Sequence, residues 1–374
     1  MGELTVRRVR SRKDLTRFIK FPWKVYRGNG YWVPPLISER KRILDRSKNP
    51  FYRHAEIELF LAEKGGQLAG RIAAIVNHLH NSFHNENIGF FGFFESMNDQ
   101  AVATALFDTA REWLRSKGVA LMRGPANPSS NDDWGLLVDG FHESPAIMMP
   151  YNPPYYSQLF ETYGLKKVMD LFAYVLRTER MKVGRAVRLA ALVRQRTSAR
   201  IRTLNMKNLT GEVDLVKEVY NNAWSSNWGF VPLTDEEIDY LAADLKQIVD
   251  PDLALFAEVN GRVVGFALAL PDFNQVLRRI PSGRLFPFGL LKILLYRSKI
   301  DSVRLLITGV IKEYQRRGID AVLYTEILER GARKRIYRGE ASWILETNKM
   351  MNSGLEAMNA ERTKTYRMYE MGIA

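Results

Sequence analysis

The chain repeats itself, and a repeat constrains architecture before any single residue does. "LAEKGGQLAG" at 61–70 aligns with "FAEVNGRVVG" at 256–265: Ala62, Glu63, Gly66 and Gly70 recur as Ala257, Glu258, Gly261 and Gly265, each 195 positions on. "NGYWVPPL" (29–36) matches "NWGFVPL" (227–233), with Asn29, Val33 and Pro34 recurring as Asn227, Val231 and Pro232. "NPPYYSQLFETYGL" (152–165) resembles "NKMMNSGLEAMNA" (348–360), where Glu161 and Glu356 are again 195 apart. Three blocks in the same order at near-constant spacing imply two copies of one domain of roughly 180 residues. The expected division is a first domain at 1–176, a basic connecting segment at 177–199 and a second domain at 200–374.

Each copy reads as the same series of elements. A basic strand opens it (4–9; 200–205), then a helical segment (13–27; 211–224), a Pro-containing loop and a short helix. Next comes the hairpin marked by the repeat, turned at "KGG" and "NGR". An apolar strand follows (88–95; 302–310), then a helix of good formers (100–117; 318–335) and another strand (146–151; 340–346). A short helix and a closing strand (166–176; 363–370) end each copy. Strands joined first by a hairpin and then through helices predict an α/β fold, a mixed sheet with helices on its faces.

Charge narrows the partners. The 374 residues carry a formal net charge of +14 and no cysteine. Disulfides, thiolate metal sites and a cysteine nucleophile are thereby excluded, and a cytoplasmic location is expected. A charge of this size suits a polyanionic partner: a phosphorylated cofactor, an anionic membrane surface or nucleic acid. The densest basic run, 177–202, has nine Lys/Arg against Glu179 but none of the aromatics that stack bases, so nucleic acid is not the expected partner. No window is long and apolar enough to span a bilayer. The most apolar stretch, "RLFPFGLLKILLYRSKI" (284–300), is interrupted by Lys292. It reads either as a core-facing helix with solvated basic ends, the commoner outcome, or as an interfacial helix on anionic lipid.

"VIKEYQRRGIDAVL" (310–323) places a strand, a Gly-containing turn and a helix in succession. A helix start leaves four N–H groups unbonded and carries about half a positive charge. Gly318 lets backbone approach a diphosphate, and Arg316 and Arg317 supply cations. With these residues the chain resembles the Gcn5-related N-acetyltransferase superfamily, as a tandem pair over its whole length. Val310, Tyr314, Gln315, Arg317, Gly318, Ile319 and Leu323 stand as in that family's turn, and "GEASWILETN" (339–348) resembles its fifth strand and following Asn. "GFFGFFES", "WGLLVDGF", "MMPYNPPYY" and "SWILETN" are similar to a bacterial tandem group within it, the YghO-like proteins.

The resemblance implies an acyltransferase that moves an acetyl or other acyl group from acyl-CoA to the amine of a small-molecule or peptide acceptor. It assigns the cofactor to Val310, Gln315, Arg316, Arg317, Gly318, Ile319, Asp320, Ala321 and Asn348. Two departures stand out. Asp320 occupies the family's second Gly/Ala position, where its charge opposes a diphosphate, and Leu355 stands where many members carry a Tyr general acid. Tyr366 and Tyr369 are then the nearby candidate proton donors, with Tyr366 the first choice, and a packing role in the closing strand is the plain alternative.

The first copy lacks the phosphate turn: "NDQAVATAL" (98–106) has no glycine. It does hold Glu95, ending "GFFGFFE", either a general base raised by its apolar surroundings or a buried structural carboxylate. The insertion at 124–145 packs Asn127, Ser129, Ser130, Asn131, Asp132 and Asp133 together. Asn127, Asn131 and Asp132 are candidate acceptor contacts, and a self-capped surface loop is the plain alternative. His78, His80 and His84 lack the further ligands of a metal site and read as surface or hydrogen-bonding residues, so no metal is expected. The other reading of the whole is a non-catalytic protein that keeps this fold while its basic surface engages an anionic membrane or nucleic acid.

Overall fold

The computed structural model describes residues 2–179 and 183–373. Its strands are β1 (Leu4–Arg8), β2 (Ala55–Lys64), β3 (Gln67–Asn77), β4 (Ile88–Ser96), β5 (Leu121–Gly124), β6 (Ala126–Asn127), β7 (Asp133–Trp134) and β8 (Leu136–Asp139). They continue as β9 (Lys166–Arg177), β10 (Arg200–Thr203), β11 (Ala254–Val259), β12 (Arg262–Pro271), β13 (Ser302–Val310), β14 (Arg338–Leu345) and β15 (Glu361–Gly372). The helices are α1 (Arg12–Lys20), α2 (Pro22–Val25), α3 (Ile37–Ile43), α4 (His78–His84), α5 (Gln100–Ser116) and α6 (Tyr156–Tyr163). After them come α7 (Val183–Thr197), α8 (Leu209–Ala223), α9 (Asp235–Leu245), α10 (Asn274–Leu277), α11 (Gly289–Tyr296), α12 (Ile319–Arg333) and α13 (Lys349–Ala357).

The two hairpins carry the repeat into three dimensions. Gly65 and Gly66 turn β2 into β3 with φ of 58° and 73°, and Asn260 and Gly261 turn β11 into β12 with 52° and 78°. Two successive left-handed residues make the turn whose twist suits antiparallel strands, so Gly-Gly and Asn-Gly are the residues found. The register slips between Ala62 and Glu63 in one hairpin and between Ala257 and Glu258 in the other, the same place in each repeat. Gly70 and Gly265 are equivalent again: a Cβ would lie 2.6 Å from Leu106 of α5 at the first and 3.4 Å from Leu323 of α12 at the second.

Two compact units result, each drawn from separate stretches of chain. One comprises 1–171, 277–293 and 364–374; the other comprises 172–276 and 294–363. In the first unit the sheet runs β1-β2-β3-β4-β5-β15, with β8 also on β15. All pairs are antiparallel except β4 with β5. Phe60, Ile72, Ala74 and Phe91 face α5 and pack on Leu106, Phe107 and Trp113 in its core. In the second unit the order is β14-β13-β12-β11-β10, antiparallel except β13 with β14. Period-2 alternation splits its faces: Gly265 meets α12, while Phe266 and Leu268 face α8 and α9.

The closing strands change places relative to the repeats. From Lys364 onward β15, the end of the second copy, lies in the first unit, with Tyr369 opposite Gly124 of β5. Residues 172–177 of β9, the end of the first copy, lie in the second unit, where Tyr174 packs with Ala341 and Leu355.

Two expectations need correction. The fifth strand of the first copy is β5 at 121–124, not 146–151, so the insertion follows that strand instead of preceding it. "AIMMPY" is apolar because Ala146, Ile147 and Met149 are buried in an irregular stretch that turns at 147–148, and a short buried apolar run mimics a strand. The stretch 284–300 is not core-facing: Phe286, Phe288, Leu291, Leu294 and Leu295 are more than half exposed. Of the histidines read as surface or hydrogen-bonding residues, His80 is the hydrogen-bonding kind, buried at 1% exposure with Nε2 3.0 Å from Glu86. Of the connecting segment 177–199, residues 183–197 form α7, and 180–182 lie outside the described residues.

Candidate active site

In the second unit the sheet opens at one defined place. Leu268 pairs with Ile307 and Ala269 with Leu305, so Leu306 is an extra residue, a bulge that bends β13. The parallel ladder to β14 runs from Ser302 opposite Arg338 to Leu305 opposite Ala341 and stops there, at the bulge. Residues 306–310 and 342–345 therefore carry no β13–β14 ladder pairs.

The opened strand leads into the turn. The Gln315 amide donates to the Val310 carbonyl at 3.0 Å, tying the turn to the strand end. Arg316 (φ 60°) and Gly318 (φ 79°) are both left-handed, and Gly318 is the N-cap of α12. No side chain caps this helix start. Asp320 lies in the first turn and is exposed. Arg316 and Arg317 are exposed too, with the Arg317 guanidinium 4.7 Å from the centre of the Tyr314 ring. Gly318 is required twice over, since beyond its φ a Cβ would lie 2.8 Å from Val193 of α7. Val310 and Ile319 are buried beneath the turn, and Ala321 is half-buried. Asn348 is the N-cap of α13, its side chain accepting from Met351 N at 3.1 Å. These donors, cations and opened strands fit a CoA diphosphate and its pantetheine arm.

Tyr324 was not singled out from the sequence. It sits on α12 one turn after Asp320, and its hydroxyl donates to Met351 Sδ of α13 at 3.6 Å beside Thr308 of β13. Burial first, then the charge of Asp320, pushes its pKa well above the ordinary phenol value. The only sequence signal was its i,i+4 position on the helix opened by the turn. Leu355, by contrast, is buried in the core with Tyr174 and Ala341.

On the opposite face, α8, α9 and the sheet enclose a pocket lined by Leu209, Val213, Leu233, Ile238, Leu268 and Ile307 among others. Tyr220 and Lys246 bring its only polar side-chain groups. Ile307 borders both this pocket and the unpaired stretch of β13.

The first unit treats the same positions differently. Its β4–β5 ladder runs from Ile88 opposite Leu121 to Phe90 opposite Arg123 and also stops early. There the insertion fills the gap: a Cβ on Gly92 would fall on the Ala126 carbonyl oxygen, and Phe93 N donates to Asn127 Oδ1. The helix start is filled as well, because Asp99 caps α5, accepting from Ala101 N at 3.0 Å and Val102 N at 3.4 Å. Asn131 N donates to Ser129 Oγ, which donates to Asp132 Oδ2 at 2.7 Å, a loop bonded to itself. Asp133 is held by Arg40 at 2.9 Å.

Glu95 is buried within a polar cluster. Tyr156 donates to its Oε2 at 2.6 Å and Tyr26 at 3.0 Å, while Arg71 faces Oε1 at 3.5 Å. Desolvation raises its pKa, opposed by Arg71 and the two hydroxyls. Tyr366 is fully buried on β15, opposite Leu137, in this same unit. Val310, the turn residues 315–321 and Asn348 thus share the second unit, and Glu95, Asn127, Asn131, Asp132 and Tyr366 the first. Among the described residues no group of three or more His, Asp or Glu side chains is arranged to hold a metal ion. None of the described helices is long and apolar enough to cross a membrane.

Known proteins match this architecture. The chain is 36% identical to protein YghO of Escherichia coli, over 98% of this chain and 95% of that protein. It is 35% identical to a bacterial ceramide synthase of Caulobacter vibrioides, over 100% and 98% of the two chains. Among solved structures, a tandem GNAT protein from the clavulanic acid biosynthesis pathway aligns over 100% of this chain and 99% of its own, with a TM-score of 0.59 at 11% identity. A GCN5-related N-acetyltransferase from Sphaerobacter thermophilus aligns over 99% and 96%, with a TM-score of 0.54 at 13% identity. No family model matches the chain. With full-length relatives above 30% identity and this fold, the chain belongs to the YghO-like family of tandem Gcn5-related N-acetyltransferase-fold proteins.

Proposed function

We propose that the protein is an N-acyltransferase that binds an acyl-CoA in its second unit and joins the acyl group to a primary amine. The observation that carries this is the opened β13–β14 edge leading straight into an uncapped helix start at Gly318. The amides at the start of α12, with Arg316 and Arg317, would hold the diphosphate, and the freed backbone of β13 and β14 the pantetheine arm. Asn348 would fix the start of α13 beside it.

The reaction is attack of the amine nitrogen on the thioester carbonyl carbon, with loss of the CoA thiolate and of one amine proton. Tyr324, kept protonated by burial and by Asp320, is placed to hydrogen-bond the departing sulfur from between β13 and α13. Glu95 and Tyr366, both buried in the first unit, are assigned positioning roles there: Glu95 holds Tyr26, Tyr156 and Arg71 in one arrangement. Asn127 is assigned to closing the first copy's gap, and Asn131 and Asp132 to shaping the loop behind it.

A ceramide is the amide of a fatty acid with a long-chain amino alcohol, so the Caulobacter relative's name points to a long acyl chain and a lipid amine. The apolar pocket reached past Ile307 suits a hydrocarbon chain on chemical grounds. The test is a melting shift with acetyl-CoA and palmitoyl-CoA, followed by mass spectrometry of products with a long-chain amine. Ligand at 100 times Kd adds about 2.7 kcal/mol of stability. Absence of any shift with either thioester overturns the proposal. Amide formation that survives Tyr324→Phe at the parent rate overturns the role of Tyr324 alone.

A further inference from the structure

The segment between β12 and β13 breaks the usual rule for apolar side chains. Phe286 (74% exposed), Phe288 (68%), Leu290 (42%), Leu291 (54%), Leu294 (55%) and Leu295 (57%) follow one another along a single stretch of chain. Residues 290, 291, 294 and 295 share one face of α11, the face that an ordinary amphipathic helix would bury. Here that face meets solvent, while Gly289 at the start of the helix is buried. Exposed apolar residues scattered singly need no explanation, but a contiguous set of this kind marks an interaction surface.

The segment is anchored in an outward-pointing position. Trp23 Nε1 donates to the Pro281 carbonyl at 2.7 Å, and Ile37 N donates to the Gly283 carbonyl at 2.9 Å. Gly283 (φ 64°) is pressed so close that a Cβ would lie 2.6 Å from both the Pro35 carbonyl and the Trp23 ring. Ile280 is buried at 3% exposure, and Lys292 Nζ ties α11 back to the Arg279 carbonyl at 2.7 Å. The base of the segment is therefore fixed, and its phenylalanines and leucines face away from it.

Charge identifies the partner. From 274 to 300 the chain carries Arg278, Arg279, Arg284, Lys292, Arg297 and Lys299 and no Asp or Glu. Arg284, Arg297 and Lys299 are exposed and flank the apolar stretch at both ends. An apolar face bordered by cations is the pattern of an element that enters the boundary between headgroups and acyl chains of an anionic leaflet. A protein partner would have to match an acid-free basic rim as well as six large apolar side chains, whereas an anionic bilayer supplies both features at once.

We infer that the segment 284–299 is a membrane-docking element that seats the protein on an anionic lipid surface, Phe286, Phe288 and the leucines of α11 inserting and the flanking cations meeting headgroups. This holds whether or not the second unit transfers acyl groups. The test is flotation of the purified full-length protein with vesicles of phosphatidylcholine alone and of phosphatidylcholine mixed with phosphatidylglycerol. The parent should bind the anionic vesicles at least about tenfold more tightly, and the preference should shrink with added salt. Phe288→Ser with Leu291→Ser should lower that binding at least about tenfold, at positions whose exposure leaves the fold intact. Arg284→Glu with Lys299→Glu should abolish the preference for anionic lipid. If the double serine variant floats like the parent, or the two vesicles bind equally, the inference fails. It fails as well if neither floats while the parent sediments as a dimer and the variant as a monomer, for then a second copy covers this face.

Discussion

The two helix starts that follow the fourth strand of each copy have the same place in the fold and opposite occupancy. In the first copy the Asp99 carboxylate caps α5, and Lys64 pairs with that acid. In the second no side chain caps α12, and Asp320, the acid nearby, is exposed to solvent. The adjoining strand gaps differ in the same sense: Ala126 and Asn127 fill one, and the other stays open from Leu306. One duplicated fold thus caps its helix start with a side chain in one copy and leaves it without a side-chain cap in the other.

The cores behind the fourth strands diverge in step. Arg71 pairs with Glu95 across β3 and β4, and Phe266 pairs with Gly309 at the equivalent register of β12 and β13. Tyr26, three residues before Asn29, bonds Glu95; Trp224, three before Asn227, lies where a Cβ on Gly309 would come within 2.4 Å of its ring. A charged, hydroxyl-bonded cluster in one copy is an apolar contact in the other, and the hydrocarbon-lined pocket lies on that apolar side.

The largest expected effect tests this difference directly. Glu95→Ala leaves Arg71, 9% exposed as a residue, without its carboxylate. Breaking a buried pair from one side costs about 3–5 kcal/mol, to be read from urea unfolding. The counterpart Gly309→Ala only overpacks Trp224 and should cost about 1–3 kcal/mol. Equal losses would mean that the polar cluster contributes no more than packing.

A pH titration sharpens the comparison because all five histidines fall in the first copy. Burial lowers His80 from 6.5 to about 4, against the opposing pull of Glu86 at 3.0 Å. The unfolded chain then binds the extra proton first, so stability falls as pH drops from about 6.5 toward 4 and levels off below. The loss attributable to this group is about 3 kcal/mol. Unfolding free energies of the parent and His80→Gln, measured between these limits, should converge as pH falls; a constant difference would deny the effect.

Next in size is an exchange of the helix starts. Gly318→Asp puts a carboxylate at the cap of α12 and should weaken CoA binding at least thirtyfold, about 2 kcal/mol, by calorimetry, and by more than Gly318→Ala, which strains the same backbone and meets Val193 without the charge. Asp99→Gly, the reverse change, should cost a few tenths of a kcal/mol and create no CoA site, because Asn127 still fills the gap. CoA binding gained by Asp99→Gly would show the cap alone to be decisive.

Much of this was legible in the chain. Gly-Gly and Asn-Gly fix the hairpins, the recurring glycines fix helix approach, and 310–323 gives the turn, since each rests on local backbone geometry. What was not legible depends on partners distant in sequence. Nothing in the alternation of 166–177 or 361–372 says which sheet each will join, because both patterns satisfy either copy. Asn127 reads as a free polar side chain until Phe93 N is found against it, and Glu95 owes its character to Tyr26, Arg71 and Tyr156 from three other elements. The orientation of α11 was left open between two readings for the converse reason: periodicity reports an apolar face but not which way it points.

The smallest effect concerns Asp320 itself. An acid in a first turn stabilises its helix by about 0.3–1 kcal/mol, so Asp320→Asn should slightly lower the melting temperature. The same charge opposes a diphosphate at the helix start, but at an exposed position salt screens it beyond about 10 Å at 0.1 M. Asp320→Asn should therefore bind CoA about three- to fivefold more tightly at low salt, a gain of about 1 kcal/mol or less, and the gain should vanish as salt rises. A variant that binds CoA more weakly at every ionic strength would place the carboxylate among the ligand's supports. The difference between the two helix starts would then lie in how each acid is used and not in whether one is present.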